Sequence, residues 1–128
     1  MEIGRTENVG KIPTLEDRYP DWYRKFHQEH LGNRTVPTWA IVGTSKLKDN
    51  LYSDNWTPTR NGIDSRFLRV ISGAYEKVEI FHDTRSPIEL VQIGDEYYVS
   101  EDGNRRVCTA HLLGIPEVKA EVTRLVRK

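Results

Sequence analysis

The chain has 128 residues, which predicts one domain with a single two-layer core. Its 19 basic and 19 acidic residues cancel, so the surface as a whole is not a basic nucleic-acid-binding surface, and an anion site must be local. The single cysteine, Cys108, excludes an intrachain disulfide and a cysteine-based zinc site. No signal-peptide or membrane-span pattern is present, so we expect a cytoplasmic protein with no membrane partner.

The N-terminal part is expected to be a polar arm, residues 1–14, followed by an aromatic helix. Aromatic side chains recur at three- and four-residue spacing, which predicts a helix from about Pro20 to His30. These side chains are Tyr19, Trp22, Tyr23 and Phe26. We expect this face to pack on the rest of the chain, with a base, a partner or a second copy in a homodimer as alternatives. The predicted division is therefore an N-terminal extension, 1–34, and a main domain, 35–128.

The main domain is predicted to mix strands and helices. In chain order the pattern indicates a short buried strand or helical turn at 35–44, a long polar connection at 45–62, a helix at 66–78, strands at 87–93 and 96–100, a helix starting at 104–105 and a strand at 118–126. The connection is either a plain surface loop or a functional one. This order predicts an α+β fold, a small mixed β-sheet packed with helices.

The stretch with most chemical content is a strand, a turn and a helix. The turn is Asp102-Gly103, and the helix opens with Arg105 and Arg106. A glycine turn that feeds a helix start exposes unpaired N–H groups, which together with two arginines suit a phosphate. As a bare motif, an ordinary turn with solvated arginines is the favoured interpretation, because short motifs match by chance.

Residues 87–122 resemble the core of the ParB/sulfiredoxin superfamily. The matching pattern is P-I-x-V, a turn, Y-x-V, D-G-x-x-R, a helix, L-G and x-V-x-A-x-V. Upstream, Ile41-Val42-Gly43-Thr44, Trp56-Thr57-Pro58 and Arg66-Phe67 are similar to the IVGT, F-x-P and R-x-R-W motifs of single-domain bacterial ParB-like proteins. The resemblance reverses the preference at the turn and implies that residues 102–106 bind the phosphate of a nucleotide or a nucleic acid.

Two well-known activities of the superfamily are not expected in this chain. Sulfiredoxins carry a catalytic cysteine at the position that corresponds to Asn104, and an amide is not that nucleophile. Cys108 is predicted to be a small buried hydrophobe. Partition ParB proteins bind CTP through G-E-R-R and continue into DNA-binding and dimerisation domains, which the sequence up to Lys128 does not contain. A nucleotide-dependent kinase, an NTPase or a nuclease remains open, as does a non-catalytic sensing or adaptor module.

The resemblance also implies roles for individual residues. Arg106 matches the family arginine and is the first choice for phosphate contact, with further donors from Gly103, Asn104 and Arg105. Thr44 and Arg66, together with Arg60, lie in segments able to reach the same cleft. The catalytic candidates are Glu89 and Asp102, as a base or as ligands of Mg²⁺ that accompanies ATP, ADP or CTP. For Glu89 an outward-facing strand carboxylate is the alternative, and for Asp102 a structural turn. His111 is expected to be structural.

Overall fold

The computed structural model describes residues 12–45, 52–53, 56–59, 63–76, 78–100 and 102–128. The elements in chain order are α1 (Leu15–Arg18), α2 (Trp22–Lys25), β1 (Phe26–Pro37), β2 (Ile41–Thr44), α3 (Ser65–Glu76), β3 (Ile88–Ile93), β4 (Glu96–Val99), α4 (Asn104–Leu113) and β5 (Glu117–Arg127). Short 3₁₀ helices, Thr38–Ala40 and Val78–Phe81, precede β2 and β3.

The strands form one five-stranded sheet in the order β1-β5-β3-β4-β2. β1 pairs antiparallel with β5, and β3 pairs antiparallel with β4 across the turn at Gly94-Asp95. β3 runs parallel to β5, and β2 runs parallel to β4. Parallel and antiparallel pairs alternate across the sheet, so the prediction of an α+β fold with a mixed sheet is confirmed.

The sheet has two covered faces, because successive side chains of a strand point to opposite sides. We call one the helix face, where Ile88 and Leu90 of β3 pack with Val107, Cys108 and Ala110 of α4. The other is the N-terminal face, built from the following residues: Leu15, Phe26, Val91, Ile93, Tyr98 and Leu125, with Tyr19 and Trp22 packed against them. The central strand β3 therefore contributes buried apolar side chains to both faces.

The predicted N-terminal helix is wrong beyond Lys25. Asp21 has a left-handed backbone, φ 58°, which separates two single-turn helices, and Phe26 begins a long strand. Pairing with β5 along all of β1 outweighs the local helical period, because helix propensity is a weak preference. The expected packing is confirmed for Phe26, which lies in the core of the N-terminal face, and for Tyr19 and Trp22, which are partly buried against it, whereas Tyr23 is exposed. The boundary predicted after residue 34 falls inside β1.

The other predicted elements agree with the structure to within a few residues. Thr14 caps α1, its Oγ1 accepting the Asp17 N–H at 3.0 Å. Helix α3 begins after Asp64, and the hairpin, α4 and β5 lie where the patterns indicate. Most of the connection at 45–62, and residues 1–11 of the arm, lie outside the described residues. Within the described part, no helix is long and apolar enough to cross a membrane.

Candidate functional site

The turn before α4 is fixed by the backbone of β3. The Glu89 N–H donates to the Asp102 carbonyl at 2.9 Å, and the Ser100 N–H donates to the Glu89 carbonyl at 2.8 Å. The chain then crosses β3 at Gly103, which has φ 123°. A Cβ at Gly103 would lie 2.8 Å from Ile88 Cγ2, so both the backbone angle and the close approach require glycine.

The first turn of α4 has no side-chain cap. Gly103 is the N-cap residue, and its carbonyl accepts the Val107 N–H at 2.8 Å. The first N–H groups of a helix have no acceptor within the helix, and the macrodipole gives this end partial positive charge. The glycine turn therefore presents backbone donors at the position where the sequence predicts a phosphate.

Arg105 joins the start of α4 to the start of α3. Its Nη2 lies 2.9 Å from Asp64 Oδ2, while Asp64 Oδ1 accepts the Phe67 N–H at 2.8 Å. These hydrogen bonds, that of Arg105 first, lower the pKa of Asp64 to about 2. Asp64 thus caps α3 and orients Arg105 at once.

Arg106 holds the neighbouring loop. Its Nη1 donates to the Ser86 carbonyl at 2.7 Å, and its Nη2 lies 3.5 Å from Asp102 Oδ2. The side chain is 14% exposed, whereas that of Asp102 is 58% exposed. The two arginines thus have different surroundings, and Arg106 contributes to the architecture of the turn as well as to its charge.

Three buried polar atoms around this turn lack a hydrogen-bond partner among the described residues. They are Tyr52 Oη, Asn104 Oδ1 and Arg105 Nε, and we call these residues the polar cluster. Tyr52 is 5% exposed, and burial raises its pKa to about 12, with the charges of Arg105 and Asp64 close enough to act on it. Buried polar atoms are nearly always paired, so two free donors and one free acceptor at a helix start require an explanation.

Among the described residues, Glu89, Thr44 and Arg66 form no hydrogen bond or ion pair with the side chains of the polar cluster. Glu89 alternates with Ile88 and Leu90, which places its side chain on the N-terminal face, beside Glu121 of β5. Thr44 is buried, and its hydroxyl donates to the Val99 carbonyl at 3.3 Å. Arg66 is exposed in the first turn of α3. Arg60 lies outside the described residues.

The remaining candidates on α4 are buried. Cys108 Sγ donates to the Trp56 carbonyl at 2.9 Å, and burial raises the pKa of the thiol to about 12, so it is not a thiolate at neutral pH. His111 stacks on Trp56 with ring centroids 6.1 Å apart, and burial lowers its pKa. His111 Nε2 and Thr38 Oγ1 also lack a partner in the described part of the chain.

Sequence reasoning missed Tyr52 and the contact of Asp64 with Arg105. Asp64 lies just before the helix predicted at 66–78, a position at which an aspartate is typical of a helix cap, and Tyr52 lies in the polar connection, where an aromatic residue is the one available signal. Across the described ranges, no group of three His, Cys, Asp or Glu side chains is placed to hold a metal ion. No protein-family model matches the chain, and no curated protein matches it significantly.

Proposed function

We propose that this chain is a ParB/sulfiredoxin-like domain that binds a nucleotide, with its phosphates at the turn of residues 102–106. The observation that carries the proposal is the polar cluster, whose donors and acceptor without a described partner lie in the first turn of an uncapped helix and, for Tyr52, near its Arg105. The backbone N–H groups at the start of α4 and the Arg105 guanidinium would bind phosphate oxygens. Asn104 Oδ1 needs a donor, and a sugar hydroxyl or a base amino group supplies one.

Mg²⁺ fits this proposal only as an ion that accompanies the nucleotide. Magnesium is commonly held by phosphate oxygens with one or two carboxylates and several waters. Asp102 is the exposed carboxylate next to the turn, so it is the residue that would contribute. The metal would offset phosphate charge, while Asp102 would continue to orient Arg106.

A domain that binds the nucleotide could also catalyse a reaction on it. The second candidate is a domain that binds the nucleotide without catalysis. Phosphoryl transfer needs a base to activate its nucleophile. Glu89 lies on the opposite face of the sheet from α4, and Asp102 is paired with Arg106. This arrangement favours a module that senses a nucleotide and signals to a protein partner. We do not propose a homodimer through residues 20–30, since the expected helix ends at Lys25, and Trp22 and Phe26 pack within the chain.

Isothermal titration with ATP, ADP and CTP, with and without Mg²⁺, tests the binding site. We expect binding by the wild type and a loss of at least tenfold in affinity for Arg105→Lys, which keeps the charge and removes the planar donor set. Arg106→Ala is expected to lose affinity too, but it also breaks the contact with Ser86, so its folding must be checked. No heat with any nucleotide, or unchanged binding by both variants, would contradict the proposal.

Phosphate release and nuclease assays separate the two candidates. If the protein is a binding module, its turnover should not exceed that of a Glu89→Gln, Asp102→Asn double variant. Turnover that depends on either carboxylate would favour an enzyme.

A further inference from the structure

A second positively charged surface lies at the far end of the β1–β5 pair, away from α4. Phe26 and Arg127 are paired across the two strands, and the Lys128 N–H donates to the Lys25 carbonyl at 3.0 Å, which brings α2 beside the end of β5. Arg127 lies seven positions along β5 from Ala120, which pairs with Ile88 beneath the Gly103 turn. At about 3.3 Å per residue, this distance is roughly 23 Å. We call this end the basic end, which consists of Tyr23, Arg24, Lys25, Arg127 and Lys128.

The positive charges of the basic end have no ion-pair partner among the described residues. All four basic side chains are exposed, and none forms an ion pair with a described carboxylate. By contrast, Arg18, Arg105, Arg106 and Arg124 each pair with an aspartate or a glutamate. In a chain with equal numbers of acidic and basic residues, four unpaired cations in adjacent segments form a local excess.

The acidic residues nearest in sequence are engaged with other groups. Glu16 Oε1 accepts the Asp21 N–H at 3.2 Å, and Asp21 Oδ1 accepts from the Tyr23 hydroxyl at 3.4 Å. Glu29 is paired with Arg124. None of these carboxylates forms an ion pair with a cation of the basic end, so those cations remain available to an external anion.

Aromatic rings lie among these cations. Tyr23 is 56% exposed, with the Arg24 guanidinium carbon 5.8 Å from its ring centre. The Arg127 guanidinium carbon lies 4.8 Å above the ring of Phe26, which fixes the position of that charge. Tyr23 is thus an exposed aromatic ring beside cations, the feature by which proteins hold single strands, because a base stacks on the ring while the cations bind phosphates.

We propose that the basic end binds single-stranded nucleic acid, independently of the nucleotide site at α4. The helix at this end, α2, has a single turn, which is too short to act as a recognition helix in a major groove. The site therefore fits an unpaired strand with little preference for sequence. The roughly 23 Å separation allows the two sites to be occupied together.

Fluorescence anisotropy with a labelled oligothymidylate in about 0.1 M salt tests this site. Each phosphate contact contributes about 0.7 to the slope of log K against log salt concentration, so Lys25→Gln, Lys128→Gln should lower the slope by about 1.4 and weaken binding roughly 25-fold. The matched control is Arg69→Gln, Lys119→Gln, which removes the same charge from exposed residues elsewhere and should leave both values unchanged. Equal loss in the two double variants would show that net charge, not this site, binds the strand.

Tyr23→Ala distinguishes nucleic acid from other polyanions. It should weaken oligothymidylate binding about fivefold or more through lost stacking, with no change for inorganic polyphosphate. The assignment would be contradicted if Tyr23→Ala bound both ligands as tightly as the wild type does. It would also be contradicted if the protein bound anionic lipid vesicles more tightly than the oligonucleotide. Arg105→Lys should leave the oligonucleotide affinity unchanged. The proposal of a nucleotide site and the proposal of a single-strand site can therefore fail independently.

Discussion

The two faces of the sheet differ in whether their buried polar side chains have hydrogen-bond partners, as two tyrosines show. Tyr98, on the N-terminal face, is buried, and its hydroxyl is 3.2 Å from both Arg18 Nη1 and Glu96 Oε1. Tyr52, on the helix face, is also buried, and its hydroxyl has no partner among the described residues. The five unpartnered buried side-chain atoms in the described ranges belong to Thr38, Tyr52, Asn104, Arg105 and His111, none of which lies on the N-terminal face.

This contrast separates stability from function. A buried polar group without a partner costs free energy, and under the proposed function a ligand would complete the hydrogen bonds on the helix face. The satisfied network of Tyr98 needs no such ligand. Substitutions on the two faces should therefore have opposite consequences, which the following predictions test in order of decreasing effect.

The largest effect is expected at Gly103. Gly103→Ala places a Cβ 2.8 Å from Ile88 Cγ2 at a backbone angle that L residues rarely adopt. We expect the free energy of unfolding to fall by about 3 kcal/mol, from strain and overpacking together. The matched control is Gly94→Ala, which also has positive φ but open space around its Cβ, and should lose only about 1 kcal/mol. Urea denaturation measures both, and equal losses would remove the argument for close approach to Ile88.

The tyrosine pair is the direct test of the contrast. Tyr98→Phe removes a satisfied hydroxyl and should lower the free energy of unfolding by about 1 kcal/mol. Tyr52→Phe removes an unsatisfied one and should raise it by about 1 kcal/mol. In the nucleotide titration the order should reverse, with Tyr52→Phe binding more weakly and Tyr98→Phe binding as the wild type does. A destabilised Tyr52→Phe variant would mean that its hydroxyl has a partner in the folded chain.

The smallest expected effect is the pH dependence at Asp64. Its folded-state pKa of about 2 lies below the ordinary value of 3.8, so its stabilising contribution is complete above about pH 5 and is lost as the pH falls through 2. Asp64→Asn keeps a capping acceptor and removes this titration. The stability difference between wild type and variant should be constant from pH 7 to 5 and shrink towards pH 2. The lowered pKa of Asp83 is common to both proteins and cancels. A difference that does not change with pH would contradict the Arg105 contact.

Local sequence patterns correctly predicted the elements in which turn residues and apolar periodicity indicate the same structure. The hairpin at Gly94-Asp95, the turn at Asp102-Gly103 and helix α4 were recognisable because turn residues and apolar periodicity indicate the same structure. The N-terminal strand was not recognisable, since the spacing of Tyr19, Trp22 and Phe26 is helical. Its pairing partner, β5, lies about 90 residues further along the chain.

The sequence by itself determined the α+β composition, the glycine turn and the two arginines that follow it. Only the tertiary structure decided which groups meet at that turn. Arg105 contacts Asp64, and Tyr52 belongs to the polar connection, whose sequence has no regular pattern. Glu89 lies on the other face of the sheet. The physical reason is that side-chain neighbours depend on strand order and on which face each residue occupies, and long-range pairing fixes both.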